Sequence, residues 1–270
     1  MTPVQKKALP PALQSARLQW ACTLLADGRG AGWYFQNCIF AGPCNTVVSP
    51  SVQTAFDEHQ ATYGKGKRWM SKDSRMSSRN LKASPYAGKQ KRFGDKRVWW
   101  FVILTRGKVC LKAMPSTWKQ VGSGMAEFIR GLEPTIRKMT RGQGRLPRVV
   151  FTDRGPGLYQ ASSGHIVKQY YAALQEAGFH PFAGVDASWQ PADLPDVLPH
   201  ETVAGWCRPF FSKHPFRRTT SLEENERRLL EMLAPCEEHI NTNYAVAGLC
   251  RSFPARLREL QSLQGGRLRH

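Results

Sequence analysis

The 270-residue chain lacks the features that would place it in a membrane or outside the cell. Its longest uninterrupted apolar run, residues 98–104, is far shorter than the roughly 20 residues that a membrane-spanning helix needs. No apolar signal-peptide core follows the first residues, so we do not expect secretion. The seven cysteines form no Cys-x-x-Cys pair, and their odd number and wide spacing indicate reduced thiols rather than a disulfide framework.

Two ligand-binding motifs are also missing. The glycine cluster at residues 28–32 is not followed by Gly-Lys-Ser/Thr, so it does not form a phosphate-binding loop of that type. Cys236 and His239 have a ligand-like spacing, but no second pair accompanies them. A buried thiol beside a helical histidine is the simpler interpretation of these two residues.

Acidic residues are scarce in only one part of the chain. The net charge is +19, and residues 61–150 contain 22 basic and four acidic residues. Residues 1–60 and 151–270 are each close to neutral. Because the positive charge is concentrated, a polyanionic partner is indicated, most simply a nucleic acid.

Residues 65–97, which we call the basic arm, carry the densest part of this charge. Aromatic residues lie between glycine, serine and basic residues, so we expect the arm to bury little and to be irregular. Basic side chains suit a phosphate backbone, and aromatic rings suit stacking on exposed bases. The predicted nucleic-acid-binding residues are Lys65, Lys67, Arg68, Trp69, Lys72, Arg75, Arg79, Lys82, Lys89, Lys91, Arg92, Lys96 and Arg97. The clusters at 65–68 and 89–92 also predict nuclear localisation.

Hydrophobic periodicity and turn signals predict an α/β fold. The predicted strands cover residues 33–40, 98–104, 108–114, 148–152 and 179–185. The predicted helices cover residues 13–25, 125–139, 163–178, 201–211 and 222–240, and a tail from residue 253 that is first helical and then frayed. This order indicates a mixed five-stranded sheet, an antiparallel meander plus parallel strands, with helices on both faces. We expect a tether and helix over 1–32, the sheet domain over 33–211 with a basic insertion at 47–97, and a helical extension over 212–270.

Two acids stand where strand ends would meet. Asp153 directly follows the strand at 148–152, a common position for a catalytic or metal-binding carboxylate, although turn formers occupy it equally often. Glu201 begins the helix after the fifth strand and could point back at the strand ends, or could simply favour the first helical turn. Asx-turn roles are expected for Asp186, Asp193 and Asp196. Two or three such carboxylates would suffice to bind Mg²⁺.

Three sequence blocks resemble the mariner-like DDE transposases. The blocks are Arg17-Leu-Gln-Trp-Ala21, Val149-Val-Phe-Thr-Asp153-Arg-Gly-Pro, and Gln190-Pro-Ala-Asp193-Leu-Pro-Asp196-Val-Leu-Pro-His-Glu201-Thr-Val-Ala-Gly-Trp206. The resemblance covers residues 13–211 and implies an RNase H-like catalytic fold that performs DNA cleavage and strand transfer. It implies Mg²⁺ or Mn²⁺ as cofactor and DNA as partner, in a homodimer, with no small-molecule substrate. Asp153 and Glu201 would be catalytic metal ligands.

The resemblance fails at the first catalytic acid. The matching position is Gly42, which has no side chain. Asp57, Asp73 and Asp95 do not end predicted strands, so we do not expect any of them to substitute. Losing one metal ligand usually costs orders of magnitude in rate. We therefore expect a divergent, degenerate transposase domain that binds DNA and cleaves it weakly or not at all.

Two alternatives remain open. The first is a non-catalytic nucleic-acid-binding protein built on the same scaffold, with the basic arm as its working part. The second is an unrelated RNase H-like nuclease, which would share Asp153 and Glu201 but not the proline-rich block before Glu201. The helix-turn-helix domains that bind element ends in the resembled family have no counterpart in this sequence, so we expect a catalytic domain or a truncated copy.

Overall fold

The computed structural model describes residues 9–48, 96–113, 130–141, 144–152, 175–181, 194, 196–213 and 222–268. The chain divides into two compact units. One contains Met1–Cys44, Trp99–Pro209 and Leu233–His270, and the other contains Asn45–Val98 and Phe210–Met232. The first of these units contains most of the sheet, together with the first helix and the last three helices of the described chain.

Helices and strands follow one another along the chain in roughly the order that the sequence predicts. The helices are α1 (Pro11–Ala26), α2 (Ala31–Asn37), α3 (Leu132–Met139), α4 (Pro199–Lys213), α5 (Leu222–Glu231), α6 (Leu233–Asn243), α7 (Val246–Arg251) and α8 (Phe253–Ser262). The strands are β1 (Cys38–Val48), β2 (Lys96–Thr105), β3 (Lys108–Ala113), β4 (Val149–Thr152) and β5 (His180–Pro181). In the described ranges, no helix is long and apolar enough to cross a membrane.

The strands form one sheet in the order β3-β2-β1-β4-β5. β2 and β3 are an antiparallel hairpin whose turn contains Arg106 and Gly107, both with positive φ (44° and 73°). The hydroxyl of Thr105, at the end of β2, donates to the carbonyl of Cys38, at the start of β1, over 2.9 Å, so these two strands run in opposite directions. β1 and β4 run parallel, as do β4 and β5. The predicted mixed α/β sheet is therefore confirmed for β1 to β4, and two described residues pair at the fifth position.

One face of the sheet packs against α3. Ile39 of β1, Ile103 of β2 and Val150 of β4 share a buried cluster with Ile136 of α3 and Phe179, which precedes β5. Successive residues of a strand point to opposite faces, so these strand residues mark a single apolar layer. This layer accounts for the apolar residues at every second position of these strands.

The other face packs against helices from both ends of the described chain. Phe40 of β1 and Phe151 of β4 stack on each other with ring centroids 5.3 Å apart. Phe253 of α8 contacts both rings, at 4.9 and 5.2 Å, and Tyr34 of α2 at 5.2 Å. Trp20 of α1 lies 6.3 Å from the same Phe253 ring. Helices thus cover both faces of the sheet, and this aromatic cluster holds α1, α2 and α8 to it.

α6 lies along β3, the outer strand of the sheet. The Asn241 side chain accepts a hydrogen bond from the Val109 N–H (2.8 Å) and donates one to the Val109 carbonyl (2.9 Å). Glu237 accepts the Leu111 N–H at 2.8 Å. An edge strand otherwise presents unpaired backbone groups. Side chains of α6 satisfy them here, which explains why α6 belongs with the sheet.

Three predicted elements were wrong in their limits. Residues 31–37 form α2 rather than the start of a strand, because aromatic residues suit either element and here Tyr34 is buried. The strand that follows continues to Val48 instead of ending at residue 40, so Gly42 lies within β1. The helix predicted over 222–240 is interrupted at Met232 between α5 and α6. The tail after α8 is not frayed up to residue 268, since Leu268 is buried. Most of the predicted 163–178 helix and the basic arm up to residue 95 lie outside the described residues.

Candidate active site

Glu201, one of the two predicted carboxylate ligands, lies in the first turn of α4. Pro199 starts this helix, where the missing proline N–H is no loss because first-turn donors have no partner within the helix. The Glu201 N–H donates to the Leu198 carbonyl at 3.2 Å, and its side chain is 18% exposed. The carboxylate is therefore placed on a regular element and retains contact with solvent.

A buried ion pair holds the loop before α4. Arg17 of α1 and Asp196 form a two-point contact, with Nη1 to Oδ1 at 3.0 Å and Nη2 to Oδ2 at 2.7 Å. Arg17 also donates to the carbonyls of Gly265 and Gly266, and the Leu268 N–H donates to Asp196 Oδ2 at 2.7 Å. This contact, rather than the expected Asx turn, is the main role of Asp196, and it joins three distant parts of the chain.

Hydrogen bonding decides the ionisation of Asp196. Burial alone would raise the pKa of this carboxyl, but the hydrogen bonds from Arg17 and from the Leu268 N–H outweigh it, so the pKa lies below its ordinary value. The carboxylate is therefore charged at neutral pH, and each of its oxygens accepts at least one hydrogen bond.

A second arginine fixes the start of α4 itself. Both terminal nitrogens of Arg256, in α8, lie 3.2 Å from the Thr202 hydroxyl. Nη1 of Arg256 also reaches the carbonyls of Asp196 and Val197, at 3.4 and 3.5 Å. The loop and the first turn of α4 are thus held from two helices, α1 and α8.

His200, the neighbour of Glu201, fills the space beside Gly42. Its side chain is fully buried, with 0% exposure. A Cβ atom built on Gly42 would lie 2.7 Å from His200 Cδ2 and closer still to Nε2, separations that Cβ atoms do not reach in proteins. Any side chain at position 42 would therefore overlap the imidazole. The place that the resemblance assigns to the first acid is occupied by another residue.

The His200 ring is neutral at physiological pH, because burial lowers its pKa to about 3. Neither ring nitrogen has a hydrogen-bond partner among the residues that the structure describes. Nε2 lies 3.9 Å from Oε1 of Glu201, beyond hydrogen-bonding distance. Burying an unpaired polar group costs about 1–3 kcal/mol, so the packing of this ring comes at an energetic cost.

The donor atoms of the described residues at this place do not fit a pair of magnesium ions. Two-metal phosphoryl transfer holds ions about 3.5–4 Å apart with carboxylates, and Mg²⁺ prefers oxygen ligands. Position 42 offers no side-chain oxygen, and a side chain there would meet the His200 imidazole. Of the two predicted ligands, Glu201 is described and Asp153 lies outside the described residues. Within the described ranges, no three His, Cys, Asp or Glu side chains are arranged to hold a metal ion.

The sheet register relates the two predicted strand ends. β4 ends at Thr152, whose partner in the parallel ladder is Ala41, the residue directly before Gly42. The last described residue before Asp153 thus lies beside the last residue before Gly42. Sequence reasoning identified this end of the sheet but missed His200. The one available signal was Gly42 itself, since a close-packed interior must fill the space that a missing side chain leaves.

Cys236 is buried in α6, as the sequence predicts. A hydrogen bond with the Cys236 thiol, together with burial, raises the pKa of Cys207. Nδ1 of His239, on the same helix, lies 3.0 Å from the side-chain amide of Asn243. The cysteine and histidine thus take part in separate contacts within the helical region.

No protein-family model matches the chain, and no curated protein matches it in sequence. Solved structures do resemble it. The Mos1 mariner paired-end complex with Mn matches with a TM-score of 0.55 and 14% identity, over 98% of this chain and 68% of that one. The corresponding complex with Mg gives 0.56 and 12%, over 100% and 69%. The catalytic domain of Mos1 mariner transposase gives 0.51 and 11%, over 97% and 98%. The chain therefore has the fold of a mariner transposase catalytic domain.

Proposed function

We propose that this chain is a degenerate transposase-type domain that binds DNA and cleaves it weakly or not at all. The observation that carries the proposal is the position of His200. The imidazole packs against Gly42, the position that the sequence resemblance assigns to the first acid, in a chain whose fold is similar to such a catalytic domain. A site that has lost one ligand position and gained a buried ring there is poorly suited to two-metal chemistry.

DNA binding is supported by the positive charge of the chain and by the DNA present in a solved structure of similar fold. The basic region at 61–150 carries 22 of the 39 basic residues. One of the similar structures is a Mos1 transposase complex with a left transposon end. Neutralising phosphates releases counterions, which makes such binding strongly salt-dependent. We therefore propose the basic arm as the principal contact with the DNA backbone.

Fluorescence anisotropy of a labelled duplex, titrated at several salt concentrations, tests this contact. The arm variant replaces Lys89, Lys91 and Arg92 with glutamine. If all three contact phosphates, the slope of log K against log salt becomes shallower by about 2.7, since each phosphate contributes about 0.9. A scrambled duplex should bind almost as well as any other, because backbone contacts carry no sequence information.

A matched control separates the arm from general charge. Three exposed basic residues of the sheet unit, Lys108, Lys138 and Arg258, are replaced with glutamine, which changes the net charge by the same amount. We expect the control to leave the slope nearly unchanged. Equal effects of the two triple variants would show that the arm is not the binding surface.

A strand-nicking assay with Mg²⁺ or Mn²⁺ tests the catalytic half of the proposal. We expect the wild type to nick supercoiled DNA no faster than the Asp153→Ala variant. Robust cleavage by the wild type that Asp153→Ala abolishes would contradict a degenerate site and would restore the reading of an active transposase. Binding without any metal-dependent cleavage supports a scaffold that now works as a DNA-binding module.

A further inference from the structure

We infer that His200 acts as a plug: its imidazole takes the place of the missing side chain at Gly42 and closes the metal centre against an ion. The inference rests on the proposed function, because the resemblance assigns position 42 to the first acid. It goes further in one respect. Restoring the acid alone, by Gly42→Asp, should not rebuild the centre, because the two residues occupy one space.

The steric part follows from the contacts of position 42. A Cβ there would lie 2.7 Å from Cδ2 and 3.4 Å from Cε1 of the same ring. Gly42 is in β1 and has a backbone conformation open to other residues, since it is not among the residues with positive φ. The ring, and not the backbone, is therefore what excludes a side chain at this position.

The ring has little freedom to move away. It is fully buried, so a rotation toward solvent would require the surrounding core to open. Its helix is held at the same turn by Arg256 on Thr202, and the preceding loop by Arg17 on Asp196. A histidine on the surface could rotate away from a new side chain at position 42. His200 has less freedom, because residues before and after it, Asp196 and Thr202, are held by arginine side chains.

The same ring also borders the remaining described acid. Nε2, the atom nearest to the position of a Cβ on Gly42, lies 3.9 Å from Oε1 of Glu201. A single imidazole thus adjoins both described positions that the resemblance assigns to the metal centre. An ion bound by side chains at 42 and 201 would have to share this space with the ring.

A double-mutant cycle on thermal stability tests the packing. Gly42→Ala should lower Tm in the wild type, because the new methyl overlaps the ring. In a His200→Ala background the same change should leave Tm unchanged or raise it, because alanine is better than glycine within a strand. A His200→Ser background, with a side chain equally short, repeats the test if the alanine variant does not fold. An equal loss of Tm in both backgrounds would overturn the plug.

Binding of Mn²⁺ by calorimetry tests the closure of the centre. The Gly42→Asp/His200→Ala variant should bind Mn²⁺ at least about tenfold more tightly than Gly42→Asp alone, since even supporting residues change metal affinity by about 10–100-fold. Gly42→Asn/His200→Ala is the matched control, equal in size but without the charge, and should not gain affinity. No gain in the double variant would overturn the inference.

Two results separate this inference from the function on which it rests. If the wild type binds Mn²⁺ and His200→Ala removes that binding, His200 is a ligand rather than a plug, and the inference fails while the resemblance to a metal site survives. If the wild type shows no salt-dependent DNA binding, the proposed function fails. The Tm cycle still reports whether His200 and position 42 exclude each other.

Discussion

Replacing Arg17 with methionine should destabilise the protein far more than a typical surface change. Methionine keeps most of the side-chain volume but removes the charge that Asp196 pairs with, and both side chains are at most 1% exposed. Breaking a buried ion pair from one side costs about 3–5 kcal/mol, because the remaining charge stays buried without its partner. The carbonyls of Gly265 and Gly266 lose their donors as well.

That loss converts into a measurable shift in Tm. A chain of this length loses about 2 °C per kcal/mol, so Arg17→Met should lower Tm by roughly 6–10 °C in a circular-dichroism melt at pH 7. Urea unfolding provides an independent value of the free energy, with the midpoint moving and the slope unchanged if both states keep their compactness.

Arg137→Met is the matched control. Arg137 pairs with Glu133 on α3, but it is largely exposed, and such surface pairs contribute about 0–1 kcal/mol. Adding Asp196→Leu to Arg17→Met should recover part of the loss, because the unpaired charge disappears. If Arg17→Met costs no more than Arg137→Met, the claim that this pair fixes the loop before Glu201 is refuted.

Three further outcomes follow from the described contacts. The pKa of Asp196 is lower in the folded protein than in the unfolded chain, where it is about 3.9. Its contribution to the free energy of unfolding is therefore present above about pH 3.9 and is lost as the pH falls through the folded pKa. The difference in Tm between the wild type and Asp196→Asn should narrow below about pH 4. Asn241→Ala should cost about 1–3 kcal/mol in urea unfolding, because it removes two hydrogen bonds to the Val109 backbone, each contributing about 0.5–1.5 kcal/mol. Asn243→Ala, which is equally exposed but bonds only within its own helix, should cost under about 0.5 kcal/mol. Phe253→Ala should cost about 3–5 kcal/mol, and a loss below 1 would deny that this ring is central to the aromatic cluster.

The local sequence pattern was sufficient to predict an element where the spacing of its apolar residues fits only a strand or only a helix. The β2–β3 hairpin and β4 were predicted because apolar runs with turn residues between them have few other uses, and the structure has all three strands close to the predicted limits. α1 was predicted from its helical spacing. The region at 31–40 failed because its aromatic residues satisfy either element, and tertiary packing of Tyr34 determined the outcome.

The site depended on contacts that no local pattern contains. His200 reaches Gly42 across 158 positions of sequence, and its effect arises from a side chain that is absent. The pairing of Arg17 with Asp196 spans 179 positions. Arg17 and Asp196 both belong to sequence blocks on which the resemblance rests. Such a block gives the identity of its residues but not their partners in space. Aspartate before a helix is usually a turn residue, so the local expectation for Asp196 was reasonable and was overridden by a distant arginine.

The junction at Asp196 also has a consequence for the order of folding. Its carboxylate receives Arg17 from 179 positions earlier and the Leu268 N–H from 72 positions later. During synthesis, the last of these contacts can therefore form only after residue 268 has emerged, long after the strands of the sheet have been made. Closing such long loops is slow and entropically costly. The start of α4, where Glu201 lies, is accordingly expected to be among the last parts of the molecule to acquire its final geometry.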